Sequence, residues 1–315
     1  MDMKIVKTLK SELDKVTQII ESSSISDLTS ETKKNTNLSA EVNETLSLLE
    51  RCAQIVDTHE NQTKPLLRVL HHFACSGGTV IAKILSSLPN VYLLSEVHPT
   101  TMLHLGNGEP RYLPSDLIAQ SRYAQIPDID SLALKIFSKS VKQINDHVVT
   151  VGGHLIIRDH SHSDFCIGST FRTSSQVADC LVEDFELLRV VTVRDPIDSY
   201  LSLLSSKWDH FDPKGFDEYC RRYLVFISEY RQEHIFKYES FLNDPSLVIS
   251  KIASHLNLPF SERVFDFFDI YKMSGDSGRV SSKIEARPRR DLSDELKKEI
   301  SQSEFYAHLR EKLEY

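Results

Sequence analysis

The sequence predicts a three-layer α/β domain built on a mainly parallel sheet, preceded by a helical extension. Three observations carry that expectation. From Leu66 onward, short apolar runs alternate with stretches whose apolar residues recur at helical spacing. Two of these units, LLRVLHHFACSGGTVIAKILSSLP (Leu66 to Pro89) and LLRVVTVRDPIDSYLSLL (Leu187 to Leu204), pass from strand to helix through turns suited to anions. The polar residues that chemistry would need follow the apolar runs, at strand ends where open α/β sheets hold ligands.

Residues 1–62 stand apart. They contain no aromatic residue, the first being Phe73, and are rich in Ser, Thr, Glu and Lys. Ile5, Leu9, Leu13, Val16 and Ile20 form one apolar helical stripe, and Leu38, Val42, Leu46, Leu49 and Ala53 a second. The polar stretch SSSISDLTSETKKNTN separates them. A helical hairpin packed on the main domain and an arm for homo-oligomerisation are both open readings. The main domain then spans 63–315.

Along that domain the pattern gives a strand at 66–73, a helix at 79–87 and a short strand at 91–94. The run VVTVGGHLIIRD ends at Arg158-Asp159, a helix falls near 174–184, and LLRVVTV and IFKY (235–238) read as strands. The tail from Asp291 reads as one charged amphipathic helix behind an Asp/Ser cap.

Composition narrows the function. At 315 residues, 40% hydrophobic and 26% charged, the chain suits an ordinary globular domain with an appendage. A net charge of −8 argues against a nucleic-acid binder, whose affinity comes from a basic surface. Cys52, Cys75, Cys166, Cys180 and Cys220 are odd in number and form no CxxC, so a reduced, cytoplasmic protein is expected. No signal peptide and no membrane span is legible.

The turn Ala74-Cys75-Ser76-Gly77-Gly78-Thr79 opens a helix, so its free N–H groups and positive dipole end form an anion cradle. Ser76, Gly77, Gly78 and Thr79 are its donors. In the second unit Arg194 ends a strand and Ser202 lies about two helical turns on, a guanidinium and a hydroxyl placed for another phosphate.

Together the two units resemble the sulfotransferases that use 3′-phosphoadenosine 5′-phosphosulfate (PAPS), over about Leu66 to Arg290. The resemblance implies a P-loop-like turn that grips the 5′-phosphosulfate and an Arg194…Ser202 pair for the 3′-phosphate. It implies that Tyr238, in KYESFLNDP, contacts adenine, and that the late loop with Ser277, Gly278 and Arg279 closes on the 3′-phosphate. ARPRR (Ala286 to Arg290) adds further cations. The implied reaction moves a sulfuryl group to a hydroxyl acceptor, a small molecule or saccharide. One departure stands out: the family's loop Lys or Arg is here Cys75. Arg158, or else Lys83, is the expected replacement cation.

Two residues compete as the base that takes the acceptor's proton. Glu96 follows Pro89 by seven residues, a spacing similar to that of a catalytic Glu in tyrosylprotein-type members. His160, in Arg158-Asp159-His160, is similar to the strand-end Lys-x-His of cytosolic members. An imidazole near ~6.5 suits the task directly, whereas a carboxyl near ~4.3 needs burial. His162 and Asp159 are candidates to orient base or substrate, and Trp208, Phe211 and Phe216 to wall the acceptor site. His160, His162 and Asp164 lack a matching distant ligand pair, so no metal is expected. Two other classes stay open: a P-loop kinase, though GxxxxGK[ST] is absent, and a non-catalytic nucleotide-binding scaffold.

Overall fold

Leu66–His72 is buried on both faces along nearly its whole length, as the centre of a parallel sheet requires. In the computed structural model this strand, β1, lies between β3 (His154–Asp159) and β5 (Glu186–Val193). With β2 (Val91–Val97) and β7 (Ile235–Lys237) the order is β2-β3-β1-β5-β7, and every pairing is parallel. Residues 64–101, 103, 115–266, 268–270, 284–286 and 288–315 are described, with Ser11, Asp14 and Lys15. Contacts divide the chain into Met1–Pro65 and Leu66–Tyr315. The expected helical extension at 1–62 lies almost wholly outside the described residues, as do Ser277, Gly278, Arg279 and Arg287.

Side-chain alternation sends the strands' apolar residues to two helical layers. Leu70, Ile156 and Val190 pack with Ile81 and Leu85 of α1 (Gly78–Ser86) and with residues from a later helix at Pro245–His255. Leu67, Leu155 and Ile157 face the other way, onto α3 (Ile129–Thr150), reached through the short α2 (Leu117–Tyr123), and α5 (Gln176–Leu181). Between β3 and α5 lie the single-turn α4 (Ser161–Phe165) and β4 (Ile167–Gly168), which pairs with β6 (His210–Phe211). Phe73, Val191 and Val193 join an aromatic cluster with α6 (Pro196–Ser205) and α7 (Phe216–Ser228). The expected α/β architecture is the one observed.

Local differences have local causes. Val148 to Thr150 close α3 rather than opening a strand, and β3 starts at His154, beyond the turn at Gly152 and Gly153. Tyr238 begins a helix, α8 (Tyr238–Asn243), ahead of α9 (Pro245–His255). The tail is two helices, α10 (Asp294–Gln302) and α11 (Glu304–Leu313). Ser303 divides them, its hydroxyl capping Tyr306 N at 2.9 Å and donating to Asp217 at 2.6 Å. No helix among the described residues is long and apolar enough to cross a membrane.

Candidate active site

Because β3 and β5 flank β1, the segments leaving all three strands emerge side by side. Registers Leu70↔Arg158 and His72↔Thr192 align their ends. The turn after β1 is shaped by left-handed backbone at Cys75 (φ 63°) and Gly77 (φ 83°). Both glycines are also required by packing. A Cβ on Gly77 would sit 2.3 Å from the Tyr238 ring, and one on Gly78 2.7 Å from His72. Gly77 caps α1 without a side-chain hydrogen bond, so the helix's first N–H groups face the turn.

Ser76 departs from its expected role. Its hydroxyl is buried and donates to Thr192 O at 3.0 Å, and its N–H bonds Phe73 O at 3.2 Å. It ties the turn to β5 instead of offering donors to a ligand. Tyr238 is buried too, its ring laid on Gly77 with the Arg194 guanidinium 5.4 Å away. Cys75 supplies no charge, since burial pushes its thiol up to about 12 against the pull of Arg194 and Arg290.

The Arg194…Ser202 pair adjoins this turn. Arg194 Nη1 lies 3.4 Å from Ser202 Oγ and 3.5 Å from the Cys75 carbonyl. Arg290 Nη1 comes to 3.3 Å from the same hydroxyl, held by Leu201 O at 2.9 Å. Two guanidiniums thus converge on one serine. Arg289 is neutralised by Asp198 at 2.8 Å and Asp195 at 3.0 Å. Tyr223 fixes the Arg194 backbone, accepting from its N–H at 3.0 Å, and Glu239 accepts from Asp195 N at 3.0 Å.

On the other side of the turn, Arg158 is buried and reaches Thr79 Oγ1 at 2.9 Å, Ser95 Oγ at 3.0 Å and Glu96 Oε1 at 2.5 Å. Arg158 thus lies at the turn, whereas Lys83 lies in the last turn of α1. Glu96 and His160, read from sequence as rivals, are partners: His160 Nδ1 bonds Glu96 Oε2. His72 Nε2 adds a contact to Glu96 Oε1 at 3.2 Å. Burial alone would raise the Glu96 carboxyl, but His72, Arg158 and the His160 hydrogen bond outweigh it and hold it well below the carboxylate range. Glu96 takes a left-handed φ of 55°, a conformation uncommon off glycine and one that active sites often hold. His160 Nε2 is buried and has no partner among the described residues.

Asp159 does not orient His160. It faces the opposite side of the sheet and bonds His71 Nδ1 at 2.8 Å. His162 turns to His210 at 3.2 Å and Asp164 to His98 at 3.1 Å, so the His160, His162 and Asp164 side chains diverge. Phe211 and Phe216 are core residues, which removes them as walls of an acceptor site, and Trp208 is exposed. Sequence reasoning missed His72 and the Glu96–His160 pairing. The doublet His71-His72 at the end of β1 was the available signal, since alternation must turn one of them toward α1.

No protein-family model matches the chain, and no curated protein sequence does. Three of the solved structures it is similar to are sulfotransferases. The sulfotransferase domain from the curacin biosynthetic pathway is 13% identical, with a TM-score of 0.48 over 80% of this chain and 98% of that one. The domain from the Synechococcus PCC 7002 olefin synthase is 14% identical, with a TM-score of 0.43 over 81% and 97%. A mouse sulfotransferase complexed with PAP is 12% identical, with a TM-score of 0.38 over 78% and 88%.

Proposed function

We propose that the protein is a sulfotransferase that uses PAPS as donor and a hydroxyl compound as acceptor. One observation carries this reading: Arg194 and Arg290 converge on Ser202 beside the turn that opens α1. Two adjacent anion sites suit one nucleotide bearing two separate phosphates. The turn's α1 N–H groups would hold the 5′ end and the arginine pair the 3′-phosphate. The orphaned, buried His160 Nε2 fits a third participant, the acceptor hydroxyl.

When bound, the donor supplies a sulfuryl group whose bond to the 5′-phosphate oxygen breaks as the acceptor oxygen bonds sulfur. His160 Nε2 takes the acceptor's proton. Glu96, charged and tied to Arg158, accepts the Nδ1–H bond, fixing the tautomer that leaves Nε2 basic and stabilising the imidazolium that results. Arg158, joined to the turn through Thr79, places positive charge where Cys75 does not.

Calorimetry tests the donor assignment. The protein should bind 3′-phosphoadenosine 5′-phosphate (PAP) far more tightly than AMP. Arg194→Ala should weaken PAP by tenfold to a hundredfold, about 1.5–3 kcal/mol, and leave AMP unchanged. Equal affinity of the native protein for PAP and AMP would sink the reading.

A further inference from the structure

We propose that the acceptor is a small, uncharged, polyhydroxylated compound of sugar or polyol type, held in a cleft beside α4. This rests on the sulfotransferase reading and names its acceptor. The cleft, about 350 Å³, falls at the small end of ligand pockets. Two segments of its wall continue directly from the Glu96–His160 pair. His98 lies two residues beyond Glu96, and Ser163 and Asp164 lie in the single helical turn that follows His160.

The charges of the described wall residues are all matched. Asp164, buried in the wall, accepts from Gln176 N at 2.9 Å and from His98 Nε2 at 3.1 Å. His98 is neutral, because its Nδ1 accepts the Thr100 and Thr101 backbone N–H groups and so carries no proton. The one cation among the described wall residues, Arg172, is shared between Asp164 at 3.4 Å and Asp179 at 2.9 Å. Arg122, behind Thr100, is matched by Asp130 at 2.7 Å. Asp164 and Arg172, the charged groups of the described wall, are thus paired with each other and with His98 and Asp179, which leaves no unmatched charge there for a carboxylate, a sulfate or an ammonium.

The remaining wall offers hydrogen bonds in place of rings. Thr100 donates to the Gln176 carbonyl oxygen, which leaves the amide's N–H donors for the cleft. Thr101 and Ser163 hydroxyls pair at 2.6 Å, using one of their two protons and leaving the other to donate. Thr101 Oγ1 is already committed as an acceptor to Leu103 N at 3.2 Å. Leu103 and Ile167 supply a limited apolar floor, and among the described residues no Phe, Tyr or Trp lines the cleft. An aromatic acceptor finds no stacking face, while a polyol finds donors and acceptors at several points.

Saturation-transfer NMR on the PAP-loaded protein tests this with three probes sharing one ring: methyl glucoside, its 6-carboxylate and its 2-amine. The glucoside should bind at least tenfold more tightly than either charged probe. Gln176→Trp, which fills the cleft, should abolish glucoside binding while PAP affinity, the check on folding, stays unchanged. Asp179→Asn, at an exposed position that releases Arg172, should strengthen the carboxylate severalfold. The proposal is overturned if the glucoside fails to bind, if the carboxylate or the amine binds as well, or if Gln176→Trp leaves glucoside binding intact. Intact preference for PAP over AMP in those cases would mean that the acceptor inference alone has failed.

Discussion

Two clusters of the same residue types lie back to back across the end of the central sheet, one residue apart in sequence. On the α1 face, His72, Arg158, Glu96 and His160 surround the turn. On the α5 face, His71, Asp159 and Arg189 form the other cluster with Ser161 and Ser175. The difference is in spare capacity. His71 has both ring nitrogens occupied, Nδ1 by Asp159 and Nε2 by the Arg189 Nε–H at 3.1 Å. His160 has one nitrogen anchored and one unused. A histidine with both ring nitrogens filled is a strut; one held by a carboxylate with a basic nitrogen left over can take a proton.

The comparison breaks most directly at His160. His160→Ala should lower kcat for labelled sulfuryl transfer about a hundredfold to ten-thousandfold, as expected for loss of a general base. PAP affinity should stay within about threefold, under ~0.7 kcal/mol. An active His160→Ala enzyme would remove the distinction between the two faces.

The two carboxylates sharpen it next. Glu96→Gln leaves the buried Arg158 without its counter-charge, so stability should fall by about 3–5 kcal/mol. Turnover of the folded fraction should collapse as well, because the amide cannot hold His160 as an ionised carboxylate does. Asp159→Asn should cost less, about 1.5–3 kcal/mol for a hydrogen bond to a charged group, and leave kcat near the native value. Urea midpoints paired with kcat separate the two, and a dead but stable Asp159→Asn would reverse the assignment of the faces.

How much of this was legible follows from what each signal depends on. The sheet, its turns and the Arg194…Ser202 pair are written in local patterns, an apolar run, a glycine turn and a fixed helical offset, so they could be read in advance. The pairing of Glu96 with His160 depends on β2 and β3 lying side by side and on a left-handed backbone at Glu96, neither of which has a local signature. Ser76 misled for a related reason: a hydroxyl in a glycine turn looks free until the neighbouring strand's carbonyl is known. The two-helix tail turned on Asp217, some eighty residues away in sequence, holding Ser303.

A last test probes the closed face by pH. Burial, the largest influence, drives the His71 imidazole down to about 4, with Arg189 helping and Asp159 opposing. In the unfolded chain an imidazole titrates near ~6.5. Between those values the unfolded state binds more protons, so stability rises with pH and is lost as pH falls from about 6.5 toward 4. The gap of about 2.5 pH units corresponds to about 3 kcal/mol. Burial also takes His162 down to about 3, which acts in the same direction. Glu96, held low, contributes stability above the unfolded carboxyl range near ~4.3 and loses it only below that, so it is silent in the upper part of this window. Native protein and His71→Gln should therefore be compared by urea midpoint at pH 6.5, 5.5 and 4.5. The variant starts lower, having lost its contacts to Asp159 and Arg189, but should fall less steeply across the series. Parallel slopes would mean that His71 is protonated in the fold, and the closed face would then not be the neutral strut its two filled nitrogens describe.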